Sequence, residues 1–271
     1  MTADMPPRID TTVAHPARRY NYWLGGKDNY QADRDSADAI EAVYPHARTA
    51  AVHNRLFLHR VVRYLAEEVG VRQFLDIGTG LPTAENTHEV AQAIDPSARI
   101  VYVDNDPLVL AHARALLVSH PAGRTAYLDA DLNYPERILT DDELVGTLNM
   151  DEPVALLLIA VLHLVPDTDH AYAVVQTLMD ALPAGSYLAI SHGTGDFVAA
   201  ATVQAVRAIT SDFTSRNRAQ VARFFTGLDL IPPGLTPITR WRNPDPDAPP
   251  PDQVPVYGGL ARKPGPEAQR G

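Results

Sequence analysis

The apolar positions fall into short, almost continuous runs separated by stretches of helical period. The runs are QFLDIG around Leu75, RIVYVD ending at Asp104, TAYLDAD ending at Asp131, VALLLIAVLHLV from Val154 to Val165, and SYLAIS ending at Ser191. Helical spacing is expected through His88 and Ala93, from Pro107 to Val118, in a short acidic stretch before Val154, and from Asp169 to Leu182. Ahead of the first run, Val52, Leu56, Leu58, Val61, Val62 and Leu65 follow a helical period from Thr49 to Glu68, and Gly70 supplies a C-terminal cap. Strands that are apolar on both faces need cover on both sides, so the pattern predicts an α/β fold with a doubly wound, mostly parallel sheet.

The ends read differently. Residues 1–16 lack periodicity and hold three prolines, as a mobile lead-in would. Eleven of the 23 prolines follow Ile231, and the tract Asn243 to Asp252 is too proline-dense for helix or central strand. That tract is expected to be a loop joining two strands, the second within VPVYGGLARK, and residues 263–271 are expected to fray. Residues 17–262 then form a single domain, with residues 17–70 as an N-terminal helical lid. Ser215 to Leu235 reads as a helix and a short strand flanking the sheet.

Charge narrows the function. The formal balance of 23 Lys and Arg against 33 Asp and Glu gives −10, which argues against a nucleic-acid binder that tracks phosphates. Absence of cysteine excludes disulfides and thiolate chemistry. The longest apolar run has twelve residues, short of a bilayer span, and MTADMPPRID lacks the apolar segment of a signal peptide. A cytoplasmic protein without a membrane segment is therefore expected.

The sharpest chemical signal is FLDIGTGLPT, Phe74 to Thr83, at a strand end. Gly78 and Gly80 allow a tight turn and close approach of a ligand to the backbone, and Pro82 suits a first helical turn. Asp104, followed by Asn105, closes the second strand 24 residues after Gly80, where a carboxylate can accept ribose hydroxyls. Asp131, followed by Leu132, closes the third, where an acid can take an adenine amino group. A dinucleotide would want its pyrophosphate at this turn, and Asp76, two residues before Gly78, would repel it. An ammonium suits Asp76 better, so S-adenosylmethionine fits the turn better than NAD, and a nicotinamide oxidoreductase is the weaker reading.

These residues resemble the class I S-adenosylmethionine-dependent methyltransferases, whose first motif is an acid-x-Gly-x-Gly turn followed by an acid at the end of the second strand. More narrowly, RRYNYWLGGKDNYQADR from Arg18 to Arg34, with DIGTGLPT, NTHEVAQ, VYVDNDP and the terminal YGGLARK, resembles the actinobacterial S-adenosyl methyltransferase family once described as a domain of unknown function. The resemblance spans nearly the whole chain. It implies a Rossmann-like sheet and a cofactor held at the first three strand ends.

The block around Gly25 and Gly26 gathers cations and aromatics. It can be a packing arm over the sheet edge, or a lid with Tyr20 or Tyr22 against the cofactor and Lys27 near its carboxylate. It is not a phosphate loop, because no Ser or Thr follows the lysine. His163 and His192 follow the fourth and fifth strands, where the acceptor would stand. Each can serve as a general base or as a packing residue. No histidine pair has H-x-x-x-H spacing, and no metal site is predicted. The reading is a methyltransferase acting on a small molecule, with a cofactor-binding protein that transfers no methyl as the alternative.

Overall fold

The computed structural model describes residues 9–83, 85–116 and 118–265. Of the two expected mobile ends, residues 1–8 and 266–271 lie outside the described residues. Three helices precede the sheet: α1 (Pro16–Trp23), α2 (Gln31–Val43) and α3 (Ala47–Arg63). The last runs on through one π-helical turn, Tyr64–Val69, and stops at Gly70 with φ 82°, the left-handed cap expected there.

Each apolar run forms a strand. In chain order, β1 (Gln73–Ile77) leads to α4 (Thr87–Ile94), β2 (Arg99–Asp104) to α5 (Pro107–Leu116), and β3 (Arg124–Asp129) to α6 (Pro135–Leu139) and α7 (Asp142–Thr147). Then come β4 (Ala155–Ile159), a 3-10 turn at Leu162–Leu164, α8 (Thr168–Ala181), β5 (Tyr187–Gly193), α9 (Ala200–Ile209) and α10 (Arg218–Arg223). The short β6 (Asp229–Leu230) and β7 (Thr236–Pro237) precede β8 (Val256–Arg262). The strand order is β3-β2-β1-β4-β5-β8-β6, with β7 also on β8. Strands β1 to β5 are parallel, and β8 joins β5 antiparallel. The proline-rich loop joins β7 to β8, as expected.

Alternation along the strands feeds two cores. Leu75, Ile77, Val101 and Val103 face one side, where Val174, Leu178 and Met179 of α8 cover them. Phe74, Ile100 and Tyr102 face the other, under Phe57, Val61 and Leu65 of the α3 segment. Truncating a ring as fully enclosed as Phe57 to alanine would cost about 3–5 kcal/mol.

Two local expectations are corrected. Pro82 lies in the loop after β1 rather than in a helix, because α4 starts only at Thr87. A capping box sets that start: Asn86 and Glu89 bind each other's backbone ends. The third strand stops at Asp129, so Asp131 belongs to the following turn. Helix α9, which no sequence pattern announced, contributes no fully buried side chain.

Chain order reverses between β2-β1 and β4-β5. A parallel sheet opens a crevice beyond its carboxyl ends at such a point.

Candidate functional site

The crevice is a cavity of about 460 Å³, within the range of sites that enclose small ligands. The ends of β1, β2, β4 and β5 form its floor. Helices α1, α2, α3 and α9 cover it.

The floor starts at the glycine turn. Gly78 and Gly80 have φ of 77° and 69°, left-handed values that side chains resist. A Cβ on Gly78 would also lie 2.5 Å from Val161 Cγ2. Gly78 donates its N–H to Val103 O at 2.8 Å, and Gly80 donates to Asp104 Oδ2 at 2.8 Å. Asp104 Oδ1 accepts from the N–H of Asp106 at 2.9 Å. Each Asp104 oxygen keeps a further lone pair, so the fixed carboxylate can still accept hydroxyls at the cavity wall. Burial raises its pKa.

Asp76 is 4% exposed and accepts from Thr87 Oγ1 at 2.6 Å. Burial pushes its pKa up to about 6, against the opposing effects of the Thr87 hydrogen bond and the charge of Arg55. A carboxylate held in that condition gains from a cation placed beside it. Arg55 lines the same end, donating through Nη2 to Glu85 O and Asn86 Oδ1, both at 3.1 Å. Its buried Nε has no partner among the described residues.

Asn105 and Leu132 line the cavity with Ala130, but Asp131 does not. Asp131 Oδ1 instead accepts from the backbone N–H and side-chain amide of Asn133, both at 2.8 Å. Its neighbours on either side, Ala130 and Leu132, line the cavity while its own carboxylate is held in the turn.

Helix α1 is fastened over this floor. Arg18 grips Asp106 with both carboxylate oxygens, at 2.9 and 3.1 Å, and His15 Nδ1 stands 3.1 Å from the same group. Tyr20 lines the cavity, donates to Ala51 O and accepts from Asn54 Nδ2, both at 2.9 Å. Asn54 Oδ1 in turn accepts from Ser191 Oγ at 2.5 Å, and Ser191 Oγ accepts from the Ala160 N–H at 2.9 Å. This chain ties α1 and α3 to the ends of β4 and β5. It passes Ala160, whose φ of 56° is a strained value for alanine at the cavity wall.

Tyr22 and Lys27 are not among the lining residues. Tyr22 donates to Asp38 Oδ1 at 3.0 Å under the guanidinium of Arg48, and Lys27 is exposed. Gly26 packs so tightly on Asn21 that a Cβ there would overlap its side chain, so the GGKD glycines shape this loop.

The two histidines part company. His163 lines the cavity, and its buried Nδ1 has no partner among the described residues. Burial holds its pKa down to about 4, helped by Arg216 and Arg19 and opposed by Asp212, so the ring is neutral at pH 7. His192 is fully buried and does not line the cavity. Its Nδ1 lies 2.8 Å from Gly193 O and its Nε2 lies 2.9 Å from Arg216 Nη1. The carbonyl only accepts and the guanidinium only donates, which fixes Nδ1 as the protonated nitrogen and leaves no lone pair free for a substrate proton. Burial pulls its pKa well down as well.

Among the described residues no group of three or more His, Cys, Asp or Glu could hold a metal ion. No helix among them is long and apolar enough to cross a membrane.

A mostly parallel sheet in this order, with an acid-x-Gly-x-Gly turn and a second acid at the end of β2, defines a class I, Rossmann-like methyltransferase fold. The family described as S-adenosyl methyltransferase matches residues 2–264, and the chain belongs to that family. It is an S-adenosylmethionine-dependent methyltransferase. A crystal structure of a DUF574 family protein from Streptomyces avermitilis MA-4680 is 45% identical, with TM-score 0.91 over 95% of this chain and 100% of that one. A Thermobifida fusca YX protein assigned provisionally to the methyltransferases is 38% identical, with TM-score 0.88 over 97% of this chain and 100% of that one. No curated protein matches the chain.

Proposed function

We propose that the chain methylates a small acceptor enclosed between the strand ends and the helical cover. The observation that carries this is the continuous cavity of about 460 Å³, acidic where β1 and β2 end and mainly apolar under α1, α2 and α9. A macromolecular acceptor would need an open face; a small one can be surrounded, and surrounding it excludes water.

S-adenosylmethionine supplies a methyl group on a sulfonium. In this reading Asp76 receives the ammonium of its amino-acid end and Arg55 its carboxylate. Asp104 accepts the ribose hydroxyls, while Asn105 and Leu132 border the adenine. Gly78 and Gly80 let the backbone come close, and Tyr20 closes the wall above. Tyr22, Lys27, Asp131 and His192 take no direct part. His163, neutral and turned to the cavity, meets the acceptor as a hydrogen-bonding partner. With a pKa of about 4 the ring is neutral at pH 7 and a weak base, so alignment rather than strong base chemistry is the protein's contribution.

Titration calorimetry with S-adenosylmethionine and S-adenosylhomocysteine tests the cofactor end. Binding of both is expected; folded protein that binds neither would end this reading.

A further inference from the structure

The acceptor end of the cavity carries polar groups that the cofactor does not explain. Arg19 of α1 lines it with a side chain 7% exposed. All of its hydrogen bonds among the described residues leave from one nitrogen, Nη2, which donates to both oxygens of Asp212 at 2.8 and 2.6 Å and to Thr210 Oγ1 at 3.4 Å. Nε and Nη1 keep three N–H bonds without a protein partner there. Neither nitrogen is among the fully buried unpartnered atoms, so these donors open onto the cavity, where an occupant's oxygen can accept from them.

Two buried orphans share this cavity. Trp23 Nε1, a pure donor on the same helix as Arg19, is buried and unpartnered among the described residues, as is His163 Nδ1. His163 stands beside Phe213, ring centroids 5.0 Å apart, and feels the charges of both Arg19 and Asp212. The surrounding wall is apolar, including Ile40, Ala47, Val203, Val206 and Val256.

The charge count then restricts the occupant. Asp212 already neutralises Arg19, His163 is neutral, and the buried Arg216 lies behind the wall with its N–H groups on Leu162 O, Val165 O and His192 Nε2, so the groups that line the acceptor end carry no net charge. A carboxylate or ammonium entering it would be desolvated without a countercharge. An uncharged oxygen can use the idle N–H groups at no such cost. The cofactor's own carboxylate is better served elsewhere, because Arg55 rather than Arg19 influences Asp76.

Resting on the function proposed above, we infer that Arg19, paired with Asp212, is a specificity-determining anchor that selects an uncharged, predominantly apolar acceptor through a hydrogen-bond-accepting oxygen.

The test uses the full chain saturated with S-adenosylhomocysteine and three probes of one ring system: acetylnaphthalene, naphthalene and naphthoate, with affinities read by calorimetry or ligand-observed NMR. The expected order is acetylnaphthalene first, naphthalene weaker by roughly tenfold, and naphthoate weakest, a step typical of a hydrogen bond to a charged donor. Arg19→Met should erase the advantage of acetylnaphthalene and leave naphthalene unchanged. Because that change strands Asp212, the double variant Arg19→Met/Asp212→Asn provides a neutral pair and should give the same result. Naphthoate binding best, or an advantage that survives both variants, would overturn the inference, as would failure of every probe to bind the loaded wild type. A loss of more than tenfold in S-adenosylhomocysteine affinity in both variants would also overturn it, by giving Arg19 to the cofactor. Failure of the wild type to bind S-adenosylhomocysteine at all would instead strike the proposed function.

Discussion

The strand-end rim and the helix-covered chamber share one cavity and are built by opposite rules. At the rim, Asp76 and Asp104 have set partners, Thr87 Oγ1 for one and two backbone N–H groups for the other, all from residues within about one βαβ unit. In the chamber, Arg19 reaches Asp212 across 193 positions and Trp23 and His163 keep unpaired nitrogens. A rim of fixed carboxylates suits a ligand that never changes. A chamber with spare donors in an apolar wall suits a second ligand held by a few directional contacts.

The largest expected effect separates the fastening of the cover from the cavity beneath it. Arg18→Met leaves Asp106, whose side chain is fully buried, with only His15 and the Leu108 N–H, and should lower folding stability by about 3 kcal/mol. Denaturant midpoints measure it; a loss below about 1 kcal/mol would mean that α1 is held by other contacts. Asp104→Ala should weaken S-adenosylhomocysteine binding by about 1–3 kcal/mol in calorimetry, since it strips hydrogen bonds from an ionised acceptor. An unchanged dissociation constant would place the ribose elsewhere.

Asp76 sharpens the rim further through pH. Its folded pKa, about 6, lies above its ordinary value of 3.8, so the stability tied to its protonated form is present below about pH 4 and lost as pH rises through about 6. Asp76→Asn should therefore stabilise the unliganded protein at pH 8, by on the order of 1–3 kcal/mol, and bring no gain near pH 4. The same variant should bind the cofactor poorly. In the wild type, affinity should fall by up to tenfold per pH unit below about 6, as the carboxylate is lost. The smallest effect is at Lys27: exposed and away from the cavity, its replacement by alanine should change cofactor affinity by less than about 0.5 kcal/mol.

The same division governs what could be read from the chain. The strands were legible because a doubly covered sheet demands apolar residues on both faces, and Asp76, Gly78, Gly80 and Asp104 followed because they are adjacent to strand ends. Of Asp131 and Leu132, named together, only Leu132 lines the cavity: the strand was taken two residues too long, and Asp131 belongs to the following turn, where its carboxylate accepts from Asn133. Arg18–Asp106 and Arg19–Asp212 left no local trace, since ion pairs between distant segments have no spacing. Asn54 did leave one: it interrupts the buried stripe of Ala47, Ala51, Leu58 and Val61 on α3 with an amide, and a polar residue in that position signals a buried partner. His192, expected after the fifth strand as either a base or a packing residue, lies within β5; only Arg216, from a separate loop, shows that both its nitrogens are engaged.

Helix α9 has a consequence of its own. Its half-buried side, with Thr202, Val203 and Val206, looks onto the cavity, and none of its residues reaches the core. Such a segment holds little free energy against local opening, so its amides would exchange with solvent sooner than those of the sheet. Whatever fills the chamber completes the packing of this helix, and part of the affinity for an acceptor is then the ordering of the wall that admits it.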